Sequence, residues 1–390
     1  MRGSTLSTAK LGSLGRLWLI LLALAGLLFL GSRFRPNSSQ TFSGMNDFMN
    51  MYTGARLVGS PDQFRSERYA EDELSVTGFV SADQARYLRL PVFAFALRPL
   101  TGLPYRTAYY VWQALCFTAL AGFVALWPGG GRGLLLLAAC WSFPLLVNFV
   151  NAQDVTFLLL FLVLAWRYHA SRPWVAGIGF GLCALKFHLF LLVPVLLIAQ
   201  RKWRVLGWGA ATLLVLLGAS TAVSTSHWIP QFIGIAFTSG ANPYDYAMPN
   251  LHALVYGLPH ALQWELLGDA FVAAMVAWLA SRSSFSLAFS ATLIGGLLIS
   301  HHAYFSDALV LLPALLIVMR DVESIALRLA AGVLLSPMPF LVYPKVPFTA
   351  PVPVLSVLLM IGLVMTQRTR VKIYQQTQPS KVTLLTHPRS

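Results

Sequence analysis

Charge is scarce in this chain. Only 11% of its 390 residues are Asp, Glu, Lys or Arg, and acidic side chains are the rarer kind, 14 against 28 basic ones. With 57% apolar residues there is too little polar surface to clothe a water-soluble globule, so the chain reads as a polytopic membrane protein. Cysteine is nearly absent too. Cys116, Cys140 and Cys183 lie inside apolar runs, are odd in number and lack metal-ligand spacing, which argues against a disulfide framework and a thiolate zinc site. No Walker motif, GxGxxG fingerprint, GxSxG elbow or HExxH pair occurs, so nucleotide binding, serine hydrolysis and that class of zinc hydrolysis lack their signatures. No internal repeat stands out, which counts against transporter folds built from duplicated halves.

What is present is a succession of apolar runs giving about twelve spans, at 17–32, 107–127, 133–149, 154–168, 173–185, 188–200, 205–223, 264–280, 285–300, 308–319, 329–343 and 351–366. Several are shorter than the roughly 20 residues a perpendicular helix needs. With the N-terminus inside, the inner segments carry 17 basic residues against only Asp321 and Glu323, a net of +15, while the outer segments hold the other 11 against 12 acids, a net of −1. Cytoplasmic loops are enriched in Lys and Arg, so both termini are expected inside a bacterial plasma membrane. The net charge of +14 is then a topology signal, and without a localised basic, aromatic groove it does not point to nucleic acid. The first run is read as a retained span, since no small-x-small cleavage site follows Leu30. Asn37-Ser38-Ser39 forms a glycosylation sequon on the outer side. The expected organisation is all-α: one transmembrane domain over 1–366 and a basic cytoplasmic tail over 367–390.

Two outer segments stand out, 33–106 and 224–263. The first contains Asp47, an amphipathic stretch over 49–58, an acidic run over 67–73, and an apolar stretch over 90–103 broken by Pro91, Pro99 and Pro104, which reads as a re-entrant or interfacial helix. Unexpected polar residues gather at outer span ends: Asn148, Asn151, Gln153 and Asp154 between the third and fourth spans, Lys186 and His188 between the fifth and sixth, and His301, His302 and Asp307 between the ninth and tenth. Together with Asp47 they suggest one site, because ionisable groups near the hydrocarbon boundary are costly without a partner or ligand. Each has a plainer reading. Asp47, Asp307 and the 151–154 segment fit helix caps, Lys186 and His188 fit side chains snorkelling to the headgroups, and the two histidines fit interfacial residues with a satisfied ring nitrogen. Adjacent histidines have poor spacing for a shared metal, so no metal or other cofactor is expected.

The order of these motifs resembles glycosyltransferase family 87. The run Asp47-Phe48, Tyr52, Ala55-Arg56-Leu57, Gly59, Tyr87, Leu90-Pro91, Leu97-Arg98-Pro99-Leu100, Leu103-Pro104 and Trp112 looks like that family's opening. Asn151-Ala152-Gln153-Asp154-Val155 is similar to its Gly/Ala-Gln-x-Asn element, Ala184-Leu185-Lys186-Phe187-His188 to its Lys-Pro element, and the 301–307 stretch to its late His/Asp element. Asp154 stands where Asn is usual, Phe187 where Pro is usual, and Arg89 where Tyr or Pro is expected. The resemblance covers about 40–320. It implies a GT-C-type helical bundle that takes a sugar from a polyprenyl-phosphate donor within the bilayer and transfers it to a glycan or glycolipid acceptor on the outer face. Mannose is the family default and arabinofuranose the alternative.

The chemistry assigns roles. Such transfer needs a carboxylate to take the acceptor proton, and Asp47 is the candidate base. Charge accumulates on the departing lipid phosphate, so preorganised cations are placed there: Lys186 first, then Arg89 and His188. His301 or His302 would bond phosphate or sugar, and Gln153, Asp154 and Asp307 would read hydroxyls. A flippase or solute transporter is the alternative, but it should hold its charged groups near the midplane, open to both faces. A noncatalytic membrane subunit would need no base.

Overall fold

Apolar residues come in blocks rather than in the two-residue alternation of half-buried strands, and every regular element among the described residues is helical. The computed structural model describes residues 13–34, 44, 46–78, 87–128, 131–236, 245–342 and 347–377. The sequon at Asn37 and the tail beyond residue 377 lie outside them. The helices run α1 Ser13–Phe34, α2 Asp47–Leu57, α3 Ser66–Thr77, α4 Pro91–Leu97, α5 Tyr105–Leu126, α6 Arg132–Cys140, α7 Phe143–Val150, α8 Val155–Tyr168 and α9 Pro173–Leu182. They continue with α10 Val193–Ala199, α11 Trp203–Val223, α12 Trp228–Ala236, α13 His252–Val255, α14 Ala261–Arg282, α15 Phe285–Leu298, α16 Leu311–Asp321, α17 Ile325–Leu335 and α18 Pro351–Thr377. Pro91, Pro99 and Pro104 break the 90–103 stretch into α4 and a short 3-10 turn, Arg98–Gly102, as proline geometry requires. The 49–58 stretch is buried rather than amphipathic at the surface: Phe48, Met49, Met51, Tyr52 and Ala55 pack on Tyr105, Tyr109 and Trp112.

Five helical segments are long and apolar enough to cross a membrane, Tyr105–Leu126, Pro173–Phe190, Trp203–Val223, Ala261–Arg282 and Pro351–Thr369, and a sixth is made by α6 with α7, bent by 62°. The expected count of twelve is not reached by this criterion. The apolar helices α8, α15 and α17 are shorter than a full span, and α15 and most of α16 are buried on all sides. Lipid-type surface is plain elsewhere: Leu214, Val215, Leu262, Leu266, Leu267 and Phe271 all point outward.

Because lipid is as apolar as leucine, helices in a bilayer associate through close packing. Gly177 and Gly181 on α9 supply it. A Cβ at Gly177 would lie 2.3 Å from Trp208 Cβ, and one at Gly181 would lie 2.4 Å from Thr212 Cβ on α11.

The long passages bring two sets of residues to opposite ends. At one end the Arg167 guanidinium donates to the Leu126 carbonyl at 3.0 Å, Gln200 donates to the Ser283 carbonyl at 3.1 Å, Gln367 donates to the Arg282 carbonyl at 2.6 Å, and Arg320 sits over the Trp166 ring. Asp47, Gln153, Lys186, His302 and Asp307 lie at the other.

Candidate active site

The site is built from three chain reversals at that second end. The first is the start of α2. Its N-cap is Asn46, not Asp47: the Asn46 backbone is extended and its side-chain oxygen accepts from Phe48 N at 3.0 Å, while its amide donates to the Tyr105 hydroxyl at 3.0 Å. Asp47 is therefore free of capping duty. Its backbone N–H donates to the Asn151 carbonyl at 3.1 Å, tying α2 to the second reversal.

That reversal joins α7 to α8. Ala152 adopts a left-handed φ of 52° and its carbonyl accepts from the Trp112 indole at 2.8 Å. Asn148 Oδ1 accepts from Val155 N at 3.2 Å and so covers a bare donor of the new helix. Asp154 holds the N-cap position, yet its side chain turns away to the site. The third reversal is a break. At Lys186 the backbone leaves helical geometry, with φ −125° and ψ 59°, inside the continuation of α9 over Cys183–Phe190. The ammonium points inward, 3% exposed, rather than snorkelling to the surface.

These elements close one network. Lys186 Nζ donates to Asp307 Oδ1 at 2.6 Å and to Gln153 Oε1 at 2.9 Å, and lies 3.3 Å from Asp154 Oδ1. All three of its protons face acceptors. Arg89 grips Asp154 with Nε at 2.9 Å and Nη2 at 3.2 Å, and Nη2 also donates to Gln153 Oε1 at 3.1 Å. With both cations on Oε1, the orientation of the Gln153 amide is set: its nitrogen faces Asp47 and donates to Oδ2. Asp307 spends its other oxygen on Tyr304 N at 3.0 Å. Its neighbour Ser306, not Asp307, sits at the N-cap of the turn leading to α16.

Burial pushes the Asp47 carboxyl above its ordinary range, against the lowering effects of the Gln153 hydrogen bond, Lys186 and Arg89. His188 and His302 stand beside the network, their rings edge to face at 6.2 Å, and His302 meets Tyr304 in the same way at 5.0 Å. His188 Nε2 is buried with no hydrogen-bond partner among the described residues. Burial holds the His302 imidazole down at about 4, so it is neutral at pH 7.

Asp47, Arg89, Gln153, Asp154, Lys186 and Asp307 thus come together, as the sequence suggests. His301 does not join them. It turns the other way, its Nδ1 2.7 Å from Glu265 Oε1, in a group with His252. The sequence reading missed Asn46 and the pair His252 and Glu265. Glu265 near the start of an apolar helix was a usable signal, since an acid there demands a partner.

The family model described as Glycosyltransferase family 87 matches residues 88–303, more than half of the chain. No curated protein and no solved structure matches. The matched segment holds Arg89, Gln153, Asp154, Lys186, His188, His301 and His302; Asp47 precedes it and Asp307 follows it.

Proposed function

From the premise that this chain belongs to glycosyltransferase family 87 and is an integral membrane glycosyltransferase, we propose that it transfers a sugar, mannose first, from a polyprenyl-phosphate donor to a glycan or glycolipid acceptor at the outer face. The observation that carries this reading is the contact of Asp47 with a network holding Lys186 and Arg89. A carboxylate with a raised pKa is a better base near neutral pH than an ordinary one. In the reaction, Asp47 takes the proton of the acceptor hydroxyl as its oxygen attacks the anomeric carbon. The bond from that carbon to the phosphate oxygen breaks, and the negative charge passes to the lipid phosphate.

Lys186 supplies positive charge from inside the network, and Arg89 presents it, since its Nη1 has no partner among the described residues. His188 and His302 stand beside the network, where their rings could hydrogen-bond the donor. Such fixed cations stabilise the leaving phosphate more than mobile water does.

Placement on the outer face rests on the split of +15 to −1 between the two sets of loops. Shorter apolar helices lie between the five long ones and the bent pair, which supports a count of about twelve transmembrane segments, some shorter than a full span. Collection of the charged groups at one end favours an enzyme over a flippase, whose site should open to both faces.

The test is transfer by purified protein in lipid nanodiscs. A labelled polyprenyl-phosphate mannose, the arabinofuranose counterpart and nucleotide sugars are each offered with a panel of glycolipid acceptors. Product from a polyprenyl-phosphate sugar supports the proposal. Transfer only from a nucleotide sugar, or none with any donor, refutes it.

A further inference from the structure

Away from the Lys186 network, His252, Glu265 and His301 converge from three elements. His252 opens α13, Glu265 lies in the second turn of α14, and His301 follows α15. His252 Nδ1 is 2.9 Å from Glu265 Oε2 and His301 Nδ1 is 2.7 Å from Glu265 Oε1, so two imidazoles face the two oxygens of one carboxylate. The two rings meet edge to face at 5.0 Å, and one ligand atom from each residue can be chosen so that all three lie within 4.8 Å of one another.

Three further observations bear on what this group does. The first is charge. Glu265 is 5% exposed, Asp245 approaches His252 Nε2 at 3.4 Å, and Asp269 lies one turn beyond Glu265 with a buried Oδ1 that has no hydrogen-bond partner among the described residues. No lysine or arginine pairs with any of these three acids among the described residues. Glu265 is the buried member of the group, while the Asp245 and His301 side chains are 42% and 58% exposed, so the cluster opens toward solvent on one side and its acidic groups sit at the edge of an apolar helix without a lysine or arginine partner.

The second is preorganisation. Leu251 N donates to the Leu298 carbonyl at 2.9 Å, and the Asn250 amide donates to the Ser300 carbonyl. These bonds place His252 against His301 without using either ring. The third is the second nitrogen of His252, which lies 3.4 Å from Asp245 Oδ1, within ion-pair distance though not hydrogen-bonded. A carboxylate behind a ligating histidine is the usual arrangement around bound metals, fixing the tautomer and raising the basicity of the other nitrogen.

We propose that His252, Glu265 and His301 form a site for a divalent transition-metal ion of the zinc class. Two imidazoles select such an ion over Mg2+ or Ca2+, which prefer oxygen ligands. Two histidines and one glutamate leave a fourth position open for water or substrate oxygen. The ion replaces the protons now shared between the two Nδ1 atoms and the carboxylate. It pins the 245–255 segment to the turn that carries His302 into the transfer site. The site goes beyond the reaction at Asp47, and failure to bind metal would leave that reading standing.

The experiment uses the full chain, carrying a histidine-free affinity tag, in detergent. It is stripped with chelator, dialysed, and loaded with zinc alone or cobalt alone. One zinc per chain by elemental analysis, a thermal midpoint that rises with free zinc, and cobalt absorption typical of imidazole-ligated low-coordinate ions are expected. Affinity should fall about tenfold or more in Glu265→Gln and further in His252→Gln/His301→Gln. His169→Gln, at the opposite end of the bundle, should bind as wild type does. Substoichiometric zinc with no cobalt spectrum in the wild-type protein would overturn the proposal, and that readout stands even if the variants fail to fold. Undiminished binding by the double variant would overturn it equally.

Discussion

Lys186 Nζ and Asp307 Oδ1 lie 2.6 Å apart although 121 residues separate them in the chain. The pair joins the break in the α9 passage to the turn before α16, and with Asp154 it encloses the ammonium in acceptors. Removing only the cation leaves two buried carboxylates facing each other. Lys186→Met should therefore cost about 3–5 kcal/mol of stability, and Lys186→Met/Asp307→Leu should recover part of that loss. Thermal unfolding of the purified variants in one detergent checks this. A double variant no more stable than the single one would show that the pair contributes nothing as a pair.

Asp47→Asn tests the proton transfer. Because Asn46 is the cap, the substitution leaves the start of α2 intact and removes only the basic carboxylate. Transfer should fall by about 10²-fold or more while donor binding and the unfolding midpoint stay near wild type. Wild-type turnover by the variant would move the base elsewhere, to Asp154, His302 or Asp307.

In the proposed reaction Gln153, which donates to Asp47, would position that base rather than touch the acceptor proton. Its hydrogen bond opposes the effect of burial on Asp47, so Gln153→Ala should raise the Asp47 pKa further. The base works deprotonated, and kcat/KM therefore rises with pH through that pKa. Its acid limb should start above the ordinary carboxylate value of 3.8 in the wild-type protein and move to higher pH in the variant. A pH–rate profile that only drops, without shifting, would assign Gln153 a merely structural role.

Ala152 is held at φ 52°, a conformation that costs a non-glycine residue about 1–2 kcal/mol. Ala152→Gly should raise the unfolding free energy by up to about 1 kcal/mol, the flexibility it adds to the unfolded chain offsetting part of the relief, and should keep activity. Ala152→Val should lower both, since a β-branched side chain fits neither the backbone nor the fully buried position. Unfolding midpoints for the two variants decide this, and equal shifts of one sign would contradict it.

Much of the site was legible in the chain because the membrane limits where a charged side chain can go. Gln153, Asp154, Lys186 and Asp307 each interrupt an apolar run at the same end, and that shared side was enough to group them. The partnership of individual atoms was not legible. That Asn46 caps and Asp47 does not depends on one extended backbone residue, and two adjacent acceptors of similar shape look alike in sequence. The destination of Lys186 was hidden for a similar reason: a lysine near a span end fits a snorkelling side chain equally well until the helix is known to break there. The count of spans was less legible, since apolar runs in the sequence became helices such as α15 that are shorter than a full span and enclosed by other helices. The His252 and Glu265 pair escaped notice because its third member, His301, was claimed by its neighbour's motif.

His301 and His302 are consecutive, yet one faces Glu265 and the other faces His188. The turn from Ser300 to Asp307 thus works as a fixed-length ruler between two chemistries. Adding or deleting one residue there would exchange the two rings and displace Asp307 from Lys186. Length variation among related chains should accordingly collect in the segments around 60 and 240 and spare this turn, whatever substitutions it accepts.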